Sequence, residues 1–217
     1  MDMPVRDTPA PEAAPPQRRS QAERRAQSEQ RLLDAAAQII ATEGYLAATL
    51  ERVGERAGFS RGLASRKYGS KDGLIEAVIW RVSAHVHEQA DAAIVGIACP
   101  LEQVLALADR FVELVQRDIS VRAYFVLFSA MIANRLETRP VFEEVQIRFG
   151  ERLEALIVAA QAAGKVSPTL PAQHAAFMLG CLLAGVAIET TMGFDRLADP
   201  TAVRTDLTAM LRRALGG

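Results

Sequence analysis

Between Ser60 and Lys71 the chain reads SRGLASRKYGSK, and its polar side chains suit a polyanion. An arginine offers a planar fork of donors that matches the two acceptors on the major-groove edge of guanine. Arg61 and Ser65 lie four apart, so on a helix they share one face, with Arg66 and Lys67 flanking it. Elsewhere the candidate chemistry is thin. His85 and His87 are two apart and point to different sides of a helix, a poor geometry for a metal. His174, Cys181 and Glu189 are scattered along one helix and make no nucleophile, base and orienter. Cys99 and Cys181 have no metal-like spacing and read as small buried thiols. No catalytic residue, metal site or cofactor is therefore expected.

These residues need elements to aim them. Apolar residues recur at helical spacing nearly throughout, and no strand-like alternation bounded by turns appears, so the fold is expected to be all-α with about nine helices. A first helix spans about 21–43, with Leu32, Ala36, Ile39 and Ile40 on its apolar stripe and Gly44 ending it. Thr49 then caps a short helix carrying Leu50, Val53 and Ala57, which stops at Gly58. Ser60 caps another, from Arg61 to about Tyr68, closed by Gly69. Two short helices about a tight turn match a helix-turn-helix, in which the first lies across the DNA backbone and the second enters the major groove. Ser70 caps a fourth helix striped with Leu74, Ile75, Val78, Ile79 and Val82. Further helices are expected at about 101–117, 121–135, 140–163, 172–193 and 199–215.

The stretch from Gly44 to Ile79 resembles the DNA-binding head of the TetR family of bacterial regulators. Gly44, Tyr45, Thr49, Val53, Ala57, Gly58, Ser60, Gly62, Tyr68, Ser70, Lys71 and Leu74 fall in register with the family pattern. Departures are Ser65 at the usual tyrosine, Ala64 at the usual leucine and Ala48 at the first threonine of the pair. The resemblance implies that Thr49 caps its helix and bonds phosphate, and that Ser60, Arg61, Gly62 and Leu63 meet the groove, Gly62 permitting close approach. It implies that Ser65, Arg66 and Lys67 contact bases or backbone, and that Lys71 meets phosphate. Tyr68 is expected to pack the head with its hydroxyl outward. Arg18, Arg19, Arg24 and Arg25 form a basic arm with possible phosphate or minor-groove contacts, or a solvated tail.

Charge placement agrees with such a division. Residues 18–71 carry eleven Arg or Lys against six acids, whereas the whole chain has a net charge of −1, so the remainder is acidic. The expected organisation is a disordered tail over 1–19, a DNA-binding head over 20–70 and a ligand-binding and dimerisation domain over 71–217. Residues 175–188 are uncharged and mostly apolar, shorter than the ~18–20 that a bilayer span needs, and read as part of a buried helix. The opening residues hold no apolar signal-peptide stretch, so a cytoplasmic protein with no membrane partner is expected.

The region 111–149 concentrates the aromatic residues. Its residues, with two from a later helix, make a candidate lining for a small apolar or aromatic effector: Phe111, Tyr124, Phe125, Phe128, Met131, Phe177 and Cys181. Arg122 and Arg135 flank the run, which leaves a weakly acidic ligand open. The helix at 172–193 is apolar on more than one side, the helix at 199–215 adds Val203, Leu207, Met210 and Leu211 at roughly helical spacing, and the two suit a homodimer. The family resemblance implies a ligand-released repressor on a palindromic duplex operator. A helical enzyme and a helical adaptor that does not bind DNA are the alternatives.

Overall fold

A computed structural model describes residues 20–134, 136–193 and 199–216. The expected tail over 1–19, with Arg18 and Arg19, lies outside the described residues, as does Arg135. The described residues form nine α-helices and no strand. They are α1 (Gln21–Glu43), α2 (Leu50–Arg56), α3 (Arg61–Tyr68), α4 (Lys71–Ile94), α5 (Pro100–Arg117), α6 (Ile119–Asn134), α7 (Arg139–Ala162), α8 (Ala172–Thr191) and α9 (Pro200–Gly216), with one 3-10 turn at Tyr45–Ala47.

Local sequence sets the early boundaries. Ser20 opens α1 with a reciprocal cap: its hydroxyl accepts from the Glu23 amide at 3.1 Å, and the Glu23 carboxylate accepts from the Ser20 amide at 2.7 Å. Thr49 Oγ1 accepts from the Arg52 amide at 3.2 Å, and Ser70 Oγ from the Gly73 amide at 3.0 Å. Ser60 holds the extended cap conformation of α3, but its side chain makes no capping bond.

Strong amphipathicity puts α5 at the centre. It buries Leu101, Val104, Leu105, Leu107, Ala108, Phe111, Val112, Leu114 and Val115 and packs against α4, α6, α7, α8 and α9. The first helix is shared: it packs on α2 and α4, and most extensively on α6. Its Ala35, Ala36 and Ala37 are all buried, so side-chain size does not limit that approach.

The last two helices correct two expectations. α8 buries one face only, through Ala175, Ala176, Leu179, Leu183 and Ala187. Its other side exposes Phe177, Met178 and Met192, so it is not the buried helix expected. By length and composition it could cross a membrane, but it packs against α5, α6 and α7 as a member of the bundle. Neither cysteine is buried: Cys99 is half-buried before α5, and Cys181 is exposed one turn beyond Phe177 on the outer stripe of α8.

Candidate functional site

The turn between α2 and α3 is tight because two glycines allow it. Gly58 has φ +75°, a conformation that side chains rarely adopt, and a Cβ there would lie 2.8 Å from Arg31 Nη2. That guanidinium sits 4.7 Å from the centre of the Phe59 ring and holds the turn against α1. A Cβ on Gly54 would come within 3.2 Å of the Ser60 carbonyl, so α2 lies close to the start of α3. Gly54 was not singled out from sequence, since a glycine inside a helical pattern gives no sign of what passes beside it.

One face of α3 is buried and the other is solvent-exposed. Ala64 is fully buried, and Leu63 and Tyr68 are half-buried against the core. Leu63 therefore divides its surface between the core and any groove. Ser60, Arg61, Gly62, Ser65, Arg66 and Lys67 are all exposed, and Thr49 is exposed nearby. A Cβ on Gly62 would meet nothing within 4 Å, so the fold itself does not require glycine there. The departures Ala48 and Ala64 are both fully buried packing positions, whereas Ser65 alters the exposed face.

Three basic residues have partners within the chain. Arg61 pairs with Glu51 and Glu55 of α2, each at 2.8 Å, and its side chain remains 73% exposed, so water can replace both partners at low cost. Lys67 pairs with Glu29 of α1 at 2.9 Å. Lys71 donates to the carbonyls of Tyr45 (2.7 Å) and Leu46 (3.3 Å), with its ammonium 3.9 Å from the centre of the Tyr45 ring. Burial pushes its pKa down. Lys71 thus braces the loop leading to Thr49. Tyr68 does not turn its hydroxyl outward as expected: the hydroxyl is buried without a partner, and burial raises its pKa to about 12.

A cavity of about 290 Å³ lies in the body between α4, α5, α6, α7 and α8, near the low end of the ~300–1,000 Å³ typical of small-molecule sites. Phe111, Tyr124, Phe125, Phe128, Phe177 and Cys181 line it; Met131 does not. The rings interlock: Phe111 meets Phe125 edge-on at 6.1 Å, and Tyr124 lies 5.2 Å from both Phe125 and Phe142. Tyr124 is 6% exposed, and its hydroxyl has no hydrogen-bond partner. Desolvation holds its pKa well above the usual phenol value. Sequence reasoning missed Ser83 and His87 on α4 and Gln146 and Phe149 on α7. The four-residue spacing of Ser83 and His87 was a signal available in the chain. No described residue that lines the cavity carries a formal charge when His87 is neutral, and burial, with Arg152 and Arg148 nearby, pushes the His87 pKa down. Arg122 is not among the lining residues.

The described residues contain no group of three or more His, Cys, Asp or Glu able to hold a metal. His85 instead pairs with Asp118 at 3.0 Å, at the junction of α5 and α6.

A helix-turn-helix with a basic exposed second helix, set on a helical body with an apolar cavity, defines the general class of one-component regulators. Residues 32–78 match the family model described as bacterial regulatory proteins, tetR family. The HTH-type transcriptional regulator BetI of Rhizobium meliloti (strain 1021) is 33% identical over 122 residues, covering 48% of this chain and 60% of that relative. The chain thus matches less than two thirds of that relative's length. A putative TetR-family transcriptional regulator from Rhodococcus sp. superposes with a TM-score of 0.75 at 19% identity, over 88% of this chain and 99% of that one. FadR from Bacillus subtilis, solved in complex with stearoyl-CoA, superposes with a TM-score of 0.75 at 17% identity, over 86% and 98%. At these identities the two structures speak for the fold.

Proposed function

We propose that this chain is a cytoplasmic, homodimeric transcriptional regulator whose head (20–70) binds a palindromic operator and whose body (71–217) binds a small effector that releases it. The reading makes it a repressor, not an enzyme, and needs no cofactor. One observation carries it: the exposed face of α3 presents Arg61, Gly62, Ser65 and Arg66 together, with Lys67 at its α1 side, and the fold gives no reason for the bare backbone at Gly62. Arg61 is placed to exchange its two exposed carboxylate partners for a guanine edge. Thr49, Arg66 and Lys67 supply phosphate contacts, which fix register and make binding fall with salt. Lys71 acts through the loop it braces as well as by its charge. Effector binding favours a form whose two heads no longer fit successive grooves.

The test begins with duplexes selected from random sequence by the full chain. Arg61→Ala should cost about 1–3 kcal/mol on the selected duplex and relax preference at one base pair in each half-site. Lys71→Ala should weaken selected and random duplexes alike. If the chain selects nothing, DNA regulation is wrong. If Arg61→Ala weakens both duplex types equally, Arg61 does not read a base.

A further inference from the structure

The body cavity is lined by two unlike sets of side chains. The aromatic rings of Phe111, Phe125, Phe128 and Phe177 make up one set. Ser83 and His87, one turn apart on α4, and Gln146 on α7 make up the other. Ser83 is 7% exposed, and burial keeps His87 toward its neutral form, so this set can exchange hydrogen bonds without carrying charge. Tyr124 adds a buried hydroxyl with no partner to the lining. An ionised carboxylate placed among these residues would lose water and meet no lysine or arginine in the lining.

The rim is no better suited to an anion. The lining residues that reach solvent include Gln146 on α7 and Phe177 and Cys181 on α8. Each arginine of α7 has a carboxylate neighbour, Arg139 with Glu143 at 2.7 Å, Arg148 with Glu144 at 2.6 Å and Arg152 with Asp91 at 2.5 Å, while Arg152 Nε stays buried without a partner. Arg148 also covers the Trp80 ring, 4.9 Å from its centre. The α8 helix carries no Lys or Arg. A phosphate-bearing carrier outside the cavity would have to draw these arginines away from their carboxylates, since neither helix offers a lysine or an unpaired arginine cluster.

We propose that the effector is an uncharged, largely aromatic or aliphatic molecule with one hydrogen-bonding end, such as a ketone, ester or alcohol, which docks on Ser83 and His87 of α4. This lining favours a neutral molecule over its carboxylate counterpart and over a coenzyme A thioester. The inference rests on the regulatory reading of the body, and it also ties the ligand to the helix that runs into the head.

Matched probes test it on the full-length protein by calorimetry and thermal shift: 4-phenylbutan-2-one against 3-phenylpropanoate, methyl octanoate against octanoate, and octanoyl-CoA. At least one neutral probe should bind, with its carboxylate counterpart about a hundredfold weaker or undetectable and octanoyl-CoA no tighter than octanoate. His87→Leu should weaken the neutral probe about tenfold, and His87→Asn should recover part of that loss. Ligand-free melting of both variants separates lost binding from lost fold; if both are unfolded, Ser83→Ala supplies the same comparison. The proposal is overturned if a carboxylate or the thioester binds as tightly as its neutral partner, if no neutral probe binds, or if His87→Leu folds and binds normally. Operator affinity measured beside each probe keeps the two readings apart. A neutral probe that binds without changing it sinks the regulatory reading alone, while release by a charged probe sinks the chemistry alone.

Discussion

At the residue scale, Gly62 separates what the fold needs from what its surface is for. A glycine in a helix costs about 0.5–1 kcal/mol relative to alanine, and nothing in the chain occupies the space where its Cβ would go. Gly62→Ala should therefore raise stability by up to about 1 kcal/mol in chemical denaturation while lowering operator affinity. If affinity is unchanged, α3 does not approach DNA closely at this position. The exposed basic residues and the caps Thr49 and Ser70 could be read from the sequence because short-range spacing determines both. The destinations of Arg61, Lys67 and Lys71 could not. Glu51 and Glu55 lie six or more residues before Arg61, Glu29 lies 38 before Lys67, and the carbonyls that Lys71 braces belong to a loop 25 residues away. For Tyr68 the ring was placed correctly and the hydroxyl was not, because its surroundings come from tertiary packing.

At the scale of elements, α4 joins the two proposed functions. Lys71 at its start holds the loop before Thr49, and His87 lines the cavity sixteen residues on, about 24 Å along a helix. Between them Arg81 bridges two neighbours. It pairs with Asp34 of α1 at 2.7 Å and donates to the Gln30 carbonyl at 3.3 Å and to Ser120 Oγ of α6 at 3.4 Å. One turn on, His85 meets Asp118, whose carboxylate also accepts from the Ser120 amide at 2.7 Å. The beginning of α6 thus touches the head through a polar bridge and the cavity through Val121 and Tyr124. Arg81→Met should leave effector affinity near normal and reduce the effector's effect on operator binding, the ratio of operator affinities without and with ligand falling toward one. Asp34 is half exposed, so losing its partner should not unfold the chain. An unchanged ratio would place the coupling elsewhere. The existence of each helix was legible from periodicity, and boundaries differed by one or two residues. The bridge was not legible, because arginines on amphipathic helices look alike until their neighbours are known. The cavity was half legible: aromatics stand out by type, whereas Ser83, His87 and Gln146 look like ordinary polar residues in a helical pattern.

At the scale of the whole molecule, the exposed side of α8 needs an explanation that a monomer does not give. Phe177 is 72% exposed, Met178 51% and Met192 60%, and Met210 on α9 is 43% exposed. Large apolar side chains repeated along one helical face favour a partner with the same face, which a second copy about a two-fold axis would supply in the proposed dimer. The same axis would set two α3 helices about one turn of duplex apart, roughly 34 Å, and so produce the palindromic preference. Replacing Met178 and Met192 together by Glu would put like charges into this face, while neither residue lines the cavity. Both side chains are exposed in the isolated chain, so its fold should be nearly unaffected, within about 0.5 kcal/mol per site. Light scattering should show the parent chain as a dimer at micromolar concentration and the double variant as a monomer. Operator affinity should fall about a hundredfold or more, because the second head no longer binds at the high effective concentration that linkage provides. Binding to a duplex with a single half-site should change little. A parent chain that is monomeric in solution would remove the two-fold reading, and a double variant that stays dimeric would move the interface off α8.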